Sequence, residues 1–115
     1  MEQTEAPYAG KIVIAPEVLI TIAKLATLAV PGVARMAAVP GGMDRYFKRG
    51  TADGVRIQVL NHEIVADLHI VITGDANTRA VSEMVQAEVA RAMSEMVGMN
   101  ARVVNVHIED VEFSE

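Results

Sequence analysis

Cysteine is absent from this chain, and so is tryptophan. Without thiols there is no disulfide framework, no thiolate nucleophile and no cysteine-held metal. The same absence suits a reducing cytoplasm. Aromatic residues are scarce, confined to Tyr8, Tyr46, Phe47 and Phe113, so any core is aliphatic. No apolar run approaches the ~20 residues of a membrane-spanning helix. The N-terminus is acidic and polar rather than a secretory leader. A net charge of −5 argues against a nonspecific grip on nucleic-acid phosphates. Catalytic signatures are missing as well: no nucleophile elbow, P-loop, dinucleotide fingerprint or metalloprotease helix occurs.

What remains is a chain of 115 residues, 51% of them hydrophobic, long enough for one domain with a real core. Its seven methionines suit soft core packing. The stretch from Asn77 to Phe113 organises it. At 100° per residue, Val81, Val85, Val89, Ala92 and Met96 fall on one arc, with Met93 at its edge, which predicts a helix over 78–97. Asn77 suits the N-cap and Gly98 the left-handed position past the end. Arg91 lies three after Glu88 and four before Glu95, spacing that lets all three pair on the surface. From Arg102 to Phe113 the pattern becomes a strand. Val104, Val106 and Ile108 share one parity, then Val111 and Phe113 take the other, which calls for a β-bulge near Glu109 and Asp110 or, as the alternative, a strand end at Ile108.

The N-terminal part reads in order. Residues 1–9 are expected to be a flexible tail, and 10–113 a single domain. Lys11 to Ile14 reads as a short strand. Pro16 and Glu17 suit the first turn of a helix running to about Val30, with Val18, Ile22, Leu25, Ala26 and Ala29 as its core face. Pro31-Gly32 stops it. Val33 to Val39 reads as a strand, and 40–53 as a loop with room for one helical turn at Asp44 to Lys48. Gly54–Leu60 and Ile64–Thr73 alternate and are joined by a two-residue turn at Asn61-His62. That register sets Val59 against Ile64, Ile57 against Ala66 and Arg56 against Asp67, so the two charges face each other across the strands. The expected architecture is α+β: a two-layer sandwich, a mostly antiparallel sheet with two helices on one face, in the order β-α-β-β-β-α-β.

Three groups of residues are candidates for function. Ile20 and Leu28 fall off the core face of the first helix, and Val65 and Val71 lie on the sheet face away from the helices, so these four are candidate partner contacts. Scattered exposed aliphatics are the plainer account. Arg45, Tyr46, Phe47, Lys48 and Arg49 form a basic loop with aromatics, the chemistry of an RNA or anionic-surface contact. Three charges make a small nucleic-acid footprint, and a solvated loop is the plainer account. Asp67, His69 and His107 share the outward parity but match no ligand motif, so no metal and no cofactor is expected. His62 is more simply a turn residue.

The segments GKIVIAPEVLITIAKLA, PGVARM, GVRIQV, VADLHIVI and VQAEVARAMSEMVGMNARVVNVHIEDVEF together resemble the alkaline shock protein family of bacterial envelope stress proteins. The most telling parts are Gly10-Lys11-Ile12, Pro31-Gly32-Val33, and Val104-Asn105-Val106 running to Asp110-Val111. Thr73-Gly74 stands where many members carry Tyr-Gly, which puts any contact made by that tyrosine in doubt. The resemblance covers nearly the whole chain and contains no catalytic motif. It implies a non-enzymatic, cytoplasmic protein of the cell-envelope stress response. Such a protein acts as a scaffold that self-associates or binds a membrane-anchored protein close to the membrane. The alternative is a small nucleic-acid-binding module using residues 45–49.

Overall fold

Glu63 to Thr73 forms the strand on which the sheet is built, because its alternation presents a continuous aliphatic row to one side. Ile64, Ala66, Leu68, Ile70 and Ile72 are all buried on that side. The computed structural model describes residues 9–38 and 51–113. The expected tail before Ala9, and the expected helical turn at 44–48, lie outside the described residues. Within them the elements are α1 (Pro16–Leu28), β1 (Val33–Met36), β2 (Thr51–Ala52), β3 (Val55–Leu60), β4 (Glu63–Thr73), α2 (Thr78–Val97) and β5 (Asn100–Glu112). Both helices contribute to one core with the inner row of β4, so the architecture is the expected two-layer α+β sandwich. Three strand pairings are antiparallel: β1 with β4, β3 with β4, and β2 with β3. The pairing of β4 with β5 is parallel, and α2 is the crossover that a parallel connection needs.

One edge of β4 is shared. Its first half takes β3 and its second half takes β1. The handover falls at His69, whose N–H donates to the Gly54 carbonyl at 2.8 Å and whose carbonyl accepts from Ala37 N–H at 2.8 Å. Gly54 has φ 80°, and a Cβ there would lie 2.3 Å from the Ala37 carbonyl oxygen, so a side chain would part β1 from β3. The other edge of β4 is covered along its length by β5.

The hairpin follows the alternation. Asn61 (φ 52°) and His62 (φ 65°) make the two-residue turn, both in the left-handed region that a type I′ hairpin needs. Val59 pairs with Ile64, Ile57 with Ala66 and Arg56 with Asp67. The bulge in β5 also falls where the parity slips. Ile70 faces Ile108 and Val71 faces Asp110, leaving Glu109 as the extra residue. Val111 thereby returns opposite Ile72. The sequence pattern does not announce a second bulge: Ile64 faces Ala101 and Val65 faces Val103, so Arg102 is extra. Short apolar-rich runs hide such a slip, because Val103 and Val104 satisfy either parity.

Two strand expectations need correction. Lys11–Ile14 forms no strand; Ile12 and Val13 are 83% and 79% exposed. Its own sheet offers it no place along β4, since β1 and β3 take one side and β5 the other. The two-residue β2, which pairs with β3 at Val55 and Arg56, falls inside the expected loop.

The helices are capped as their ends indicate. Asn77 Oδ1 accepts from Ala80 N–H at 2.9 Å, Gly98 (φ 69°) donates its N–H to the Ser94 carbonyl, and Met99 N–H donates to the Met93 carbonyl. Their buried faces are rotated from the expected ones. α2 buries Val81, Val85, Val89 and Met93, an i, i+4 ridge, while Met96 is 67% exposed. An i±4 ridge runs obliquely to the helix axis, so the contact drifts off the straight arc by the last turn. α1 buries Leu19, Ile20, Ile22, Ala23 and Thr27. Val18 and Leu25, expected in the core, are 45% and 61% exposed. This helix is apolar on almost every side, so periodicity does not select one face. Thr27 tolerates full burial because its hydroxyl donates to the Ala23 carbonyl at 2.7 Å.

Candidate functional site: the helix groove and the open sheet face

Rotation of both helices leaves an apolar groove between them. α1 packs over β1 and β3, α2 over β5, and the helices meet each other along one side. Val18, Leu25 and Met96, which periodicity assigns to the core, line this groove together with Ala26 and Ala29 from the first helix and its end and Ala92 and Val97 from the second. Its volume is about 660 Å³. Glu17, Glu88 and Arg91 stand at its margin. Arg91 is held there by Glu88 at 2.6 Å and Glu95 at 3.0 Å, the surface triplet its spacing predicts. The Thr21 hydroxyl, also on the wall, donates to the Glu17 carbonyl at 2.9 Å. The walls therefore offer hydrocarbon, with charge only at the rim.

The opposite sheet face carries a polar cluster. Parallel pairing puts His69 directly opposite His107 and Asp67 opposite Asn105. The two imidazoles stack, with centroids 4.4 Å apart and planes 10° from parallel. His69 Nδ1 lies 2.7 Å from Glu109 Oε2, and His107 Nε2 lies 3.1 Å from Asp67 Oδ1. Asn105 Nδ2 donates to the same Asp67 oxygen at 3.1 Å. Burial alone would raise the Asp67 carboxyl pKa. Hydrogen bonds from His107 and Asn105, and the charges of His107 and Arg56, outweigh it and hold the group below the usual carboxylate value. The bulge supplies the remaining partner, since its extra residue is Glu109.

Asp67, His69 and His107 are thus brought together, as their shared parity allows, but as hydrogen-bonded pairs. Among the described residues no three His, Asp or Glu side chains are placed to hold a metal ion. Sequence reasoning missed Glu109 as the partner of His69; the parity slip beside it was the available signal.

Two of the four expected partner contacts are not surface residues. Ile20 is 6% exposed and belongs to the core, because the buried face of α1 is rotated toward it. Val71 is 2% exposed, enclosed in the sheet where β4 is flanked by β1 and β5. Val65 is half-buried, and Leu28 remains 38% exposed. The loop Arg45, Tyr46, Phe47, Lys48 and Arg49 lies outside the described residues. Periodicity assigns the groove residues Val18, Leu25 and Met96 to the core. The signal against that was the excess of apolar positions on α1 over what one buried face can use.

The fold is that of a small α+β domain. The chain belongs to the alkaline shock protein family, whose model, described as having a cell envelope-related function, matches residues 4–113. The resemblance read from the sequence therefore holds over nearly the whole chain. The chain is 30% identical over 111 residues to the uncharacterized protein YqhY of Bacillus subtilis (strain 168), covering 95% of this chain and 82% of that one. It is also 30% identical over 105 residues to the uncharacterized protein Spy1535 of Streptococcus pyogenes serotype M6, covering 90% and 81%. Among solved structures, MamM-CTD 215-293 superposes with a TM-score of 0.56 at 18% identity, over 82% of this chain and 96% of that one. The copper form of MamM CTD gives 0.54 at 19%, over 86% of each. At such identity the likeness is one of fold alone. No helix among the described residues is long and apolar enough to cross a membrane.

Proposed function

We propose that this protein is a non-enzymatic scaffold of the cell-envelope stress response, working in the cytoplasm close to the membrane. It acts by associating with itself and by holding a membrane-anchored protein. The observation that carries this is the groove. Val18, Leu25 and Met96 stand 45%, 61% and 67% exposed around one concavity, in a chain that has already buried a full aliphatic core. Contiguous exposed apolar surface with a charged margin is the mark of a docking site. A groove between two helices accepts a third amphipathic helix, whose apolar anchors fall at i, i+3 and i+4. The occupant that fits is a helical segment of the anchored partner, apolar on the inner side and polar toward Glu17 and Arg91. The family's cell envelope-related function supports the location.

A photo-crosslinking residue placed at Leu25 in cells tests this. The expected product joins this protein to a chain that carries a membrane span, and Met96→Glu abolishes it. Products with soluble chains only, or none at all, would remove the membrane-anchored partner.

A further inference from the structure

We propose that Lys11–Ile14 of one copy adds as a strand to the free edge of β5 in a second copy. The proposal rests on the self-association just described and names the surfaces that carry it. Its starting point is a mismatch. Lys-Ile-Val-Ile is three β-branched residues in a row after a lysine, the composition of a strand. Yet it pairs with nothing among the described residues, and Ile12 and Val13 are the most exposed large aliphatics there, at 83% and 79%.

β5 offers the complementary defect. It runs for 13 residues and pairs only with β4, leaving its outer side unpaired among the described residues. Long open edges are rare because their backbone N–H and C=O groups invite another strand. The bulges at Arg102 and Glu109 leave a regular stretch, Val103–Ile108, between them. Along it Val104, Val106 and Ile108 face the helix layer but are only half-buried, whereas Leu68 and Ile70 beside them on β4 are fully buried. The uncovered flank lies on the outer side. One carbonyl, that of Val104, accepts a hydrogen bond from the Gln86 side chain at 3.0 Å, the kind of bond an edge makes when no strand is present.

The fit is specific in side chains as well as in backbone. In a strand, Ile12 and Ile14 share one face and Lys11 and Val13 the other. With Ile12 extending the row of Val104, Val106 and Ile108, Lys11 falls on the face that holds Glu109 and Asp110. Within one chain the segment cannot reach this edge. It is tied to α1, which packs over β1 and β3, and Ile14 is packed against the core. β5 lies beyond β4 on the far side of the sheet. Among the described residues no segment of the same chain lies along this edge, and another copy fills it.

Hydrogen exchange on the full chain, at low and high protein concentration, tests the pairing. Wild type is expected to exchange at least about tenfold more slowly at outward amides of Val103–Ile108 when concentrated, the protection that a paired edge confers. The double variant Ile12→Asp with Val13→Asp, which changes only exposed side chains, is expected to lose that slowing while keeping the urea midpoint of wild type. A peptide of residues 9–15 added to this variant should restore the slowing at the same amides. Edge amides that exchange alike at all concentrations, a double variant that still shows the slowing, or a peptide without effect would each overturn the proposal. Self-association that survives the double variant would overturn this contact and leave the wider scaffold reading standing. The groove variant Leu25→Glu with Met96→Glu should keep the β5 protection, which separates the two surfaces.

Discussion

Replacing Gly54 by alanine should cost about twice as much stability as the same change at Gly98, although both glycines hold left-handed backbone. Gly98 has φ 69°, with nothing within 4 Å of where a Cβ would stand. Alanine there meets backbone strain alone, about 1–2 kcal/mol. Gly54 has φ 80° and adds a collision: its Cβ would lie 2.3 Å from the Ala37 carbonyl oxygen and 3.0 Å from that of His69. Relief requires the first of these to retreat by about 1 Å to ordinary contact. That movement strains the two 2.8 Å hydrogen bonds through which β3 and β1 both hold His69. Each is worth about 1 kcal/mol net. The sum for Gly54→Ala is about 3–4 kcal/mol, a large share of the roughly 5–15 kcal/mol typical of a small domain. Urea unfolding followed by far-UV circular dichroism, at low protein concentration to keep association out, reads both variants. The Gly54→Ala midpoint should fall about twice as far as that of Gly98→Ala. Equal shifts would refute the claim that the shared edge of β4 depends on close approach at Gly54.

Asn77→Ala removes the cap on Ala80 N–H and should lower stability by about 1 kcal/mol in the same assay. Met93→Ala should cost about 2–5 kcal/mol, since that side chain is fully buried. Met96→Ala, at 67% exposure, should stay within about 0.5 kcal/mol of wild type; the reverse order would show the wrong face of α2 packed inward. Asp67 has a folded-state pKa below its ordinary value of 3.8, so its contribution is fully present above that value and is lost as pH falls through the depressed one. The midpoint difference between wild type and Asp67→Asn should therefore close as pH falls from about 5 into strong acid. A difference that widens over that acid range would contradict the sign.

What could be read from the sequence, and what could not, divides along physical lines. The hairpin register was legible because Asn61-His62 admits two positive φ values and because alternation on both strands has a single phase. The bulge at Glu109 was legible because the parity slips there. Asn77 and Gly98 marked the ends of α2 through their local chemistry. The buried face of α1 was not legible: Val18, Leu19, Ile20, Ile22 and Leu25 spread hydrocarbon around the helix, and only packing against β1, β3 and α2 selects among them. That error carried into the candidate site, turning Ile20 outward and Val18 and Leu25 inward. The bulge at Arg102 was hidden because adjacent valines mask a change of phase. The stacked histidines depended on β5 running parallel to β4, which the pattern of either strand leaves undetermined.

Sedimentation velocity of the full chain across a wide concentration series tests the central claim most directly, because a scaffold must assemble. The account predicts a sedimentation coefficient that rises reversibly with concentration, and a shift back toward the monomer in the Ile12→Asp, Val13→Asp variant. A single monomeric boundary at every concentration would contradict it.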